Sequence, residues 1–318
     1  FNKYNRKLIY MKTGIFLSYS GLGANLLHLS YCHQIAKKYG PLTLITLNSK
    51  LKDILQQDPN FNEIIYLDKF HKRLKDIFKL SKFLKDLKFN NLFIFYPSLR
   101  YFLSSKLAGI KNVYQYPIFK KKKLHLVQAA KLFTERNLNI LDCPTETKIF
   151  FKDKENDNII KKDQKIIILG IGSSGQTTKW GVDNFSLLIS RLSQIKKFYF
   201  YLLCGPQEKN DAKKIIEKVG KNNCESLDDK SIFEVLSYIS KSDFYIGNDS
   251  FGHHISCQMG KPSFIILLDT PRAYSDYSIN QYRILPENVN IDEISHNSNL
   301  SPNSISVDMI LNKIEKFI

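Results

Sequence analysis

At 318 residues, 43% of them apolar, the chain is long enough for two compact domains, each with its own core. No apolar run reaches the ~18 residues a membrane-spanning helix requires, and five scattered cysteines without a C-x-x-C pair argue against a disulfide frame or a zinc site. The net charge of +17 is lopsided: residues 1–165 hold 31 Lys and Arg against 13 Asp and Glu, and residues 166–318 hold 16 against 17.

So basic a first half selects anionic partners, whether a phosphorylated lipid, a membrane surface or nucleic acid. The first twenty residues lack the apolar core and cleavage site of a signal peptide. The chain opens on Phe1, which leaves Met11 as a candidate start. Gly14–Ser20 then reads as a strand and Asn25–Gly40 as a helix closed by glycine. The runs LTLITL, EIIYL, LFIFY and NVYQY follow with helical segments between them, the rhythm of a parallel sheet covered on both faces. In Lys69–Lys88, the residues Phe70, Leu74, Ile77, Phe78, Leu84 and Leu87 recur at helical spacing. That helix is expected to pack on the sheet and turn its lysines to solvent or to anionic headgroups. The run Lys120–Lys123 is expected in a loop. Leu141–Gln164 is polar and charged, which sets the domains at 1–145 and 165–318 with a linker over 146–164.

A second series of strands and helices starts at Lys165. Tandem Rossmann-like domains bind ligands at the carboxyl ends of their strands, in a cleft between the two sheets, so the loops after strands matter most. After the first strand, SYSGLGANLLHL holds Gly21 and Gly23 but lacks the third glycine of a dinucleotide fingerprint. Gly170–Phe185 brings glycines, Ser173, Ser174 and Lys179 beside the only tryptophan; hydroxyls, backbone N–H groups and a lysine suit a diphosphate. Asp183 is expected to cap the next helix. In LLCGPQE, Gly205 turns the chain, and Glu208 suits either the helix dipole or a ribose diol. In IGNDSFGHH, Asn248 or Asp249 is expected to cap a helix whose first N–H groups, on Ser250, Phe251 and Gly252, face an anion. His253 and His254 occupy adjacent helical positions, which diverge, so no metal is expected there.

The motifs GSSGQTTKWGVDNFSLLI, LLCGPQE and IGNDSFGHHISCQMGKPSFIILLDT resemble, in order and spacing, the C-terminal half of glycosyltransferase family 9, the bacterial heptosyltransferases of lipopolysaccharide core assembly. The similarity covers residues 165–275 and touches the first half only at SYSGLGANLLHL. It implies an α/β fold of GT-B type, two Rossmann-like domains facing across a cleft. It also implies an inverting, metal-independent transfer from a nucleotide-diphosphate sugar to an anionic glycolipid. By resemblance, Ser173, Ser174 and Lys179 contact the diphosphate and Glu208 holds the ribose. Asp249, Ser250, Phe251 and Gly252 form the phosphate cradle, supported by His254. Neither a cofactor nor nucleic acid is expected, and the place of work is the cytoplasm, with peripheral contact to the inner membrane.

One departure sits in the cradle, where Phe251 stands between Asp249-Ser250 and the glycine that the family places directly after them; the others sit in the first half. The family's Gly-Asp, whose Asp is held to be the base, is replaced by Gly23, Ala24 and Asn25, and an amide takes no proton at neutral pH. His28, one turn later, is a candidate base by its chemistry and a packed helix histidine by its setting. Lys179, Asn25 and His28 are therefore the candidate catalytic residues. The alternatives are an inactive nucleotide-sugar-binding homologue and a sugar-nucleotide epimerase of similar fold.

Overall fold

The computed structural model describes residues 11–68, 75–118, 125–153, 164–173, 175, 177–296 and 298–318. The chain divides into two compact units, Phe1–Thr145 and Glu146–Ile318. In the first, strands β1 (Thr13–Leu17), β2 (Leu42–Thr46), β3 (Phe61–Tyr66), β4 (Asn91–Ile94) and β5 (Asn112–Gln115) form one sheet in the order β3-β2-β1-β4-β5. All pairs are parallel. The continuous apolar runs explain this: β1, β2 and β4 are buried on both faces, which only a helix-covered parallel sheet permits. Helices α1 (Leu22–Leu26), α2 (Leu29–Tyr39), α3 (Lys50–Leu55), α4 (Asp76–Asp86), α5 (Leu99–Leu107) and α6 (Leu126–Leu138) accompany them.

Two expectations are corrected here. The helix over 25–40 is broken at His28: its ring takes the Ala24 carbonyl at 2.5 Å, and its own N–H turns to Asn25 O at 3.1 Å. In α4 the buried stripe runs through Leu80 and Leu84, three and seven residues on from Ile77, so Phe78 lies off phase and is 74% exposed. Phe70, Leu74 and the run Lys120–Lys123 lie outside the described residues.

In the second unit, β6 (Lys165–Gly170), β7 (Phe198–Leu203), β8 (Cys224–Ser226), β9 (Phe244–Asn248), β10 (Ser263–Ile266) and β11 (Gln281–Ile284) form a parallel sheet. Its order is β11-β10-β9-β6-β7-β8. Helices α7 (Val182–Ile195), α8 (Lys209–Val219), α9 (Ile232–Lys241), α10 (Phe251–Gln258) and α11 (Val307–Ile314) cover it. The core joins Ile167, Leu169, Phe200, Ile246 and Phe264 of the sheet to Trp180 and Ile310 outside it. Residues before β6 also pack here: Ile149 N donates to Gln258 O at 3.1 Å, and Asp153 accepts from Ser237 and pairs with Lys241, both at 2.8 Å.

The strand order reverses between β6 and β9, and the loops leaving their carboxyl ends flank that switch point, where α/β sheets bind ligands. Two glycines let the strands close up there. A Cβ on Gly247 would stand 2.5 Å from Gly170 O, and one on Gly170 would enter the Tyr245 ring.

Candidate functional site

Three loops of the second unit converge at the switch point. The first leaves β6. Trp180 is fully buried, stacked edge-on against Phe185 with its Nε1 donating to Ile305 O at 2.8 Å. It anchors the loop and leaves Lys179 to reach inward. Lys179 Nζ lies 3.0 Å from Glu208 Oε1, with side-chain exposures of 16% and 8%. Glu208 ends the 3₁₀ turn Pro206–Glu208 after β7, and its Oε2 accepts from Gly205 N at 3.1 Å. Lysine and carboxylate, 29 positions apart in sequence, therefore share one partly buried site.

The third loop leaves β9. Ser250, not Asn248 or Asp249, caps α10: its Oγ accepts from Gly252 N at 3.4 Å. Asn248 is a strut instead. Its Oδ1 accepts from Trp180 N at 2.9 Å and its Nδ2 donates to Ile171 O at 2.8 Å, tying the two loops together. A Cβ on Gly252 would meet Leu203 Cδ2 at 2.5 Å and Tyr245 Cε2 at 2.8 Å, so a larger residue there would have to push these side chains aside. Ser173 joins the same knot, bonded to Thr178 and donating to Asp249 O at 3.2 Å. Ser174 lies outside the described residues. Asp183 is not a cap: Gly181 holds that position with φ 100, and Asp183 in the first turn of α7 pairs with Lys218.

Sequence reasoning missed Asp269. Its carboxylate accepts from Thr177 Oγ1 and from Ser298 N at 2.9 Å, bracing the Lys179 loop from β10. No local pattern around Asp269 signals this contact 92 residues away.

The histidines of α10 depart from the expected divergence, their ring centroids lying 3.8 Å apart. His253 Nδ1 is 3.0 Å and His254 Nε2 3.8 Å from Asp249 Oδ1. Burial pushes the Asp249 carboxyl up, but His253, His254 and the Thr270 hydroxyl together hold it below the usual range. Burial, with help from the neighbouring His253, drives His254 well below the usual histidine range, and its Nδ1 lies 2.5 Å from Tyr277 Oη. Among the described residues this trio is the set whose ligand-type atoms converge, all within 4.8 Å.

The first unit treats its candidates differently. Asn25 is fully buried, and its Nδ2 donates to Tyr19 O at 2.9 Å and Gly21 O at 2.7 Å. His28 is fully buried too, stacked on Tyr19, with Nδ1 on the Ala24 carbonyl and Nε2 2.9 Å from Tyr116 Oη. Burial lowers its pKa to about 4. Both ring nitrogens are engaged, so His28 offers no free lone pair as a base. These residues shape the loop after β1 and present no proton acceptor at its surface.

Known proteins resemble the chain in sequence pattern and in fold. The sequence pattern of glycosyltransferase family 9 (heptosyltransferase) matches residues 107–278. A lipopolysaccharide heptosyltransferase 1 of Campylobacter coli is 26% identical over 143 residues, 43% of this chain, and the match spans only 41% of that relative. A family 9 glycosyltransferase structure from Veillonella parvula superposes with a TM-score of 0.77 at 15% identity, over 97% of both chains. An E. coli heptosyltransferase solved with ADP does so at 0.72 and 14% identity, over 97% of this chain and 100% of the other. Likenesses this remote establish a shared fold, and the sequence pattern establishes the lineage: the chain belongs to glycosyltransferase family 9.

Proposed function

We propose that the protein is an inverting glycosyltransferase that moves a heptose-like sugar from a nucleotide-diphosphate donor to an anionic glycolipid such as lipopolysaccharide core, with no metal in the chemistry. One observation carries this: Lys179, Glu208 and the N-terminal turn of α10 meet at the switch point of the second unit. Lys179 and the N–H groups of Ser250, Phe251 and Gly252 hold the diphosphate, joined by Ser173. Glu208, backed by Gly205, accepts from the ribose diol. Asp249 and His254 brace the cradle. The ADP of the E. coli neighbour supports this class of donor.

In transfer, an acceptor hydroxyl forms a bond to the anomeric carbon on the face opposite the diphosphate. The bond to the diphosphate breaks, and the diphosphate leaves with the electron pair. Lys179 and the positive end of α10 offset the charge it gains. The acceptor proton passes to a donor phosphate oxygen, because Asn25 and His28 are both engaged elsewhere. The basic first unit receives the acceptor at the cytoplasmic leaflet. Support for that surface comes from α5, where Leu99, Leu103 and Leu107 lie exposed on successive turns beside Lys106. No helix among the described residues is long and apolar enough to cross a membrane.

Calorimetric titration with ADP, GDP, UDP and CDP, without added metal, tests the donor half. Preference for one nucleotide is expected, and binding of none overturns the reading. A second reading, binding without transfer, is favoured by the amide at Asn25. Release of diphosphate in the presence of a lipopolysaccharide-core extract separates the two.

A further inference from the structure

Helix α5 is built with its polarity reversed. Inward, Tyr101 is flanked by two fully buried serines: Ser104 Oγ donates to Ile77 O at 3.1 Å and Ser105 Oγ to Tyr101 O at 2.7 Å. Outward stand Leu99, Leu103 and Leu107, four residues apart and 56, 39 and 58% exposed. A helix that faces water shows the opposite pattern, apolar inward and polar outward. The bond from Ser104 to Ile77 seats α5 against the start of α4, and there the reversal repeats: Asp76 is buried and Phe78 is exposed. Four large apolar side chains thus stand in solvent on one helix pair, and clustered exposure of this kind marks an interaction surface.

We infer that the α4–α5 face docks on a lipid bilayer: Phe78, Leu99, Leu103 and Leu107 enter its interfacial layer, and the lysines around them hold anionic headgroups. Charge selects this occupant. Residues 75–111 hold eight Lys and Arg against two Asp, and one of the two, Asp76, is buried. Lys75, Lys79, Lys82 and Lys106 are exposed on the same two helices. Each lysine near an anionic leaflet favours binding about fivefold. A second copy of the chain is a poor occupant, because a two-fold contact lays the same patch on itself and sets these lysines against their own copies. The inference rests on the reading of a glycolipid acceptor and deepens it, naming the face that meets the lipid and adding insertion to attraction.

The other face of the sheet supplies a control. Phe93 and Ile94 are consecutive in β4 and point to opposite faces. Ile94 packs with Leu80 of α4 and Tyr101 of α5, and Phe93 meets Phe133 of α6 edge-on. A molecule lying on its α4–α5 face therefore keeps α6, with Leu132 66% exposed, out of the lipid.

The test places tryptophan at Phe78, Leu103 and Leu132 in turn, all exposed positions, and follows its emission on vesicles of equal parts phosphatidylglycerol and phosphatidylcholine with brominated acyl chains. A blue shift and quenching are expected for Phe78→Trp and Leu103→Trp. Neither is expected for Leu132→Trp or for the wild type, whose single tryptophan, Trp180, is buried. Phe78→Glu should lower partition into these vesicles by about tenfold or more, the worth of one buried aromatic side chain. Absence of vesicle binding overturns the inference, as does binding without quenching at 78 and 103, or quenching at 132 equal to theirs. Partition of Phe78→Glu within twofold of wild type overturns it too, and so does a soluble dimer that Phe78→Glu dissociates and that binds no vesicle. Nucleotide titration of the same protein separates this from the donor reading. A protein that binds a nucleoside diphosphate yet shows no quenching overturns the docking face alone. Quenching in a protein that binds none upholds the face and overturns the transferase.

Discussion

Replacing Lys179 by alanine strikes the site at its charged centre. In the free protein its Nζ already lies 3.0 Å from Glu208 Oε1, so a diphosphate must share or displace that contact. A charge-assisted hydrogen bond is worth about 1.5–3 kcal/mol, which corresponds to roughly 10- to 150-fold in Kd. Exchange with Glu208 takes the loss toward the lower bound, and sharing takes it toward the upper. Glu208→Gln tells these apart, because it frees Lys179 from its partner. That variant should bind inorganic pyrophosphate more tightly and a nucleoside diphosphate more weakly, since the ribose loses its acceptor. The alanine variant also leaves the Glu208 carboxylate, 8% exposed, with the Gly205 N–H but no cation, at a cost of about 1–2 kcal/mol in urea unfolding. Titration calorimetry on both variants reads the changes in binding, and urea unfolding of Lys179→Ala reads the cost in stability. Nucleotide affinity within twofold of wild type in Lys179→Ala would refute the assignment of Lys179 to the phosphates.

Three further outcomes are expected. His28, buried with its pKa lowered to about 4 from 6.5, binds its proton in the unfolded chain before it does so in the folded one. Its contribution is therefore complete above pH 6.5 and falls by about 3 kcal/mol as the pH drops to 4; urea midpoints for the first unit that stay level over that window would contradict this burial. Asn25→Asp would replace two N–H donations with a carboxylate facing the carbonyls of Tyr19 and Gly21. It should destabilise by about 1–3 kcal/mol and leave turnover no higher, and a tenfold gain in diphosphate release would show that this position still serves as a base. Sedimentation with anionic vesicles should exceed that with zwitterionic ones, weaken with salt and drop on Leu103→Glu. Equal binding to both kinds of vesicle would rule out a basic lipid-facing surface.

Much of the second unit was legible in sequence because its signals are local. A glycine-rich turn after a strand, a lysine beside a tryptophan, and Asn-Asp-Ser opening a helix each state their geometry within a few residues. The capping assignment slipped by one or two positions because Asn, Asp and Ser all make good caps. Only the fold decided that Trp180 N–H and Ile171 O would claim Asn248. In the first unit the sequence left His28 open between a base by its chemistry and a packed helix histidine by its setting. Side-chain chemistry nominated His28, while burial among Tyr19, Phe95 and Tyr116 withdrew it.

The sequence by itself determined two series of buried strands, and hence parallel sheets covered by helices, because an apolar run without alternation has no face to turn to water. It also determined the uneven charge and the three glycine-bearing loops that follow strands of the second unit. Only the tertiary structure decided that Lys179 would meet Glu208, that Asp269 would hold Thr177, and that His253 would stand between an N–H and a carboxylate. The strand order β11-β10-β9-β6-β7-β8 brings the ends of β6, β7 and β9 together, and distance along the chain carries no record of that juxtaposition.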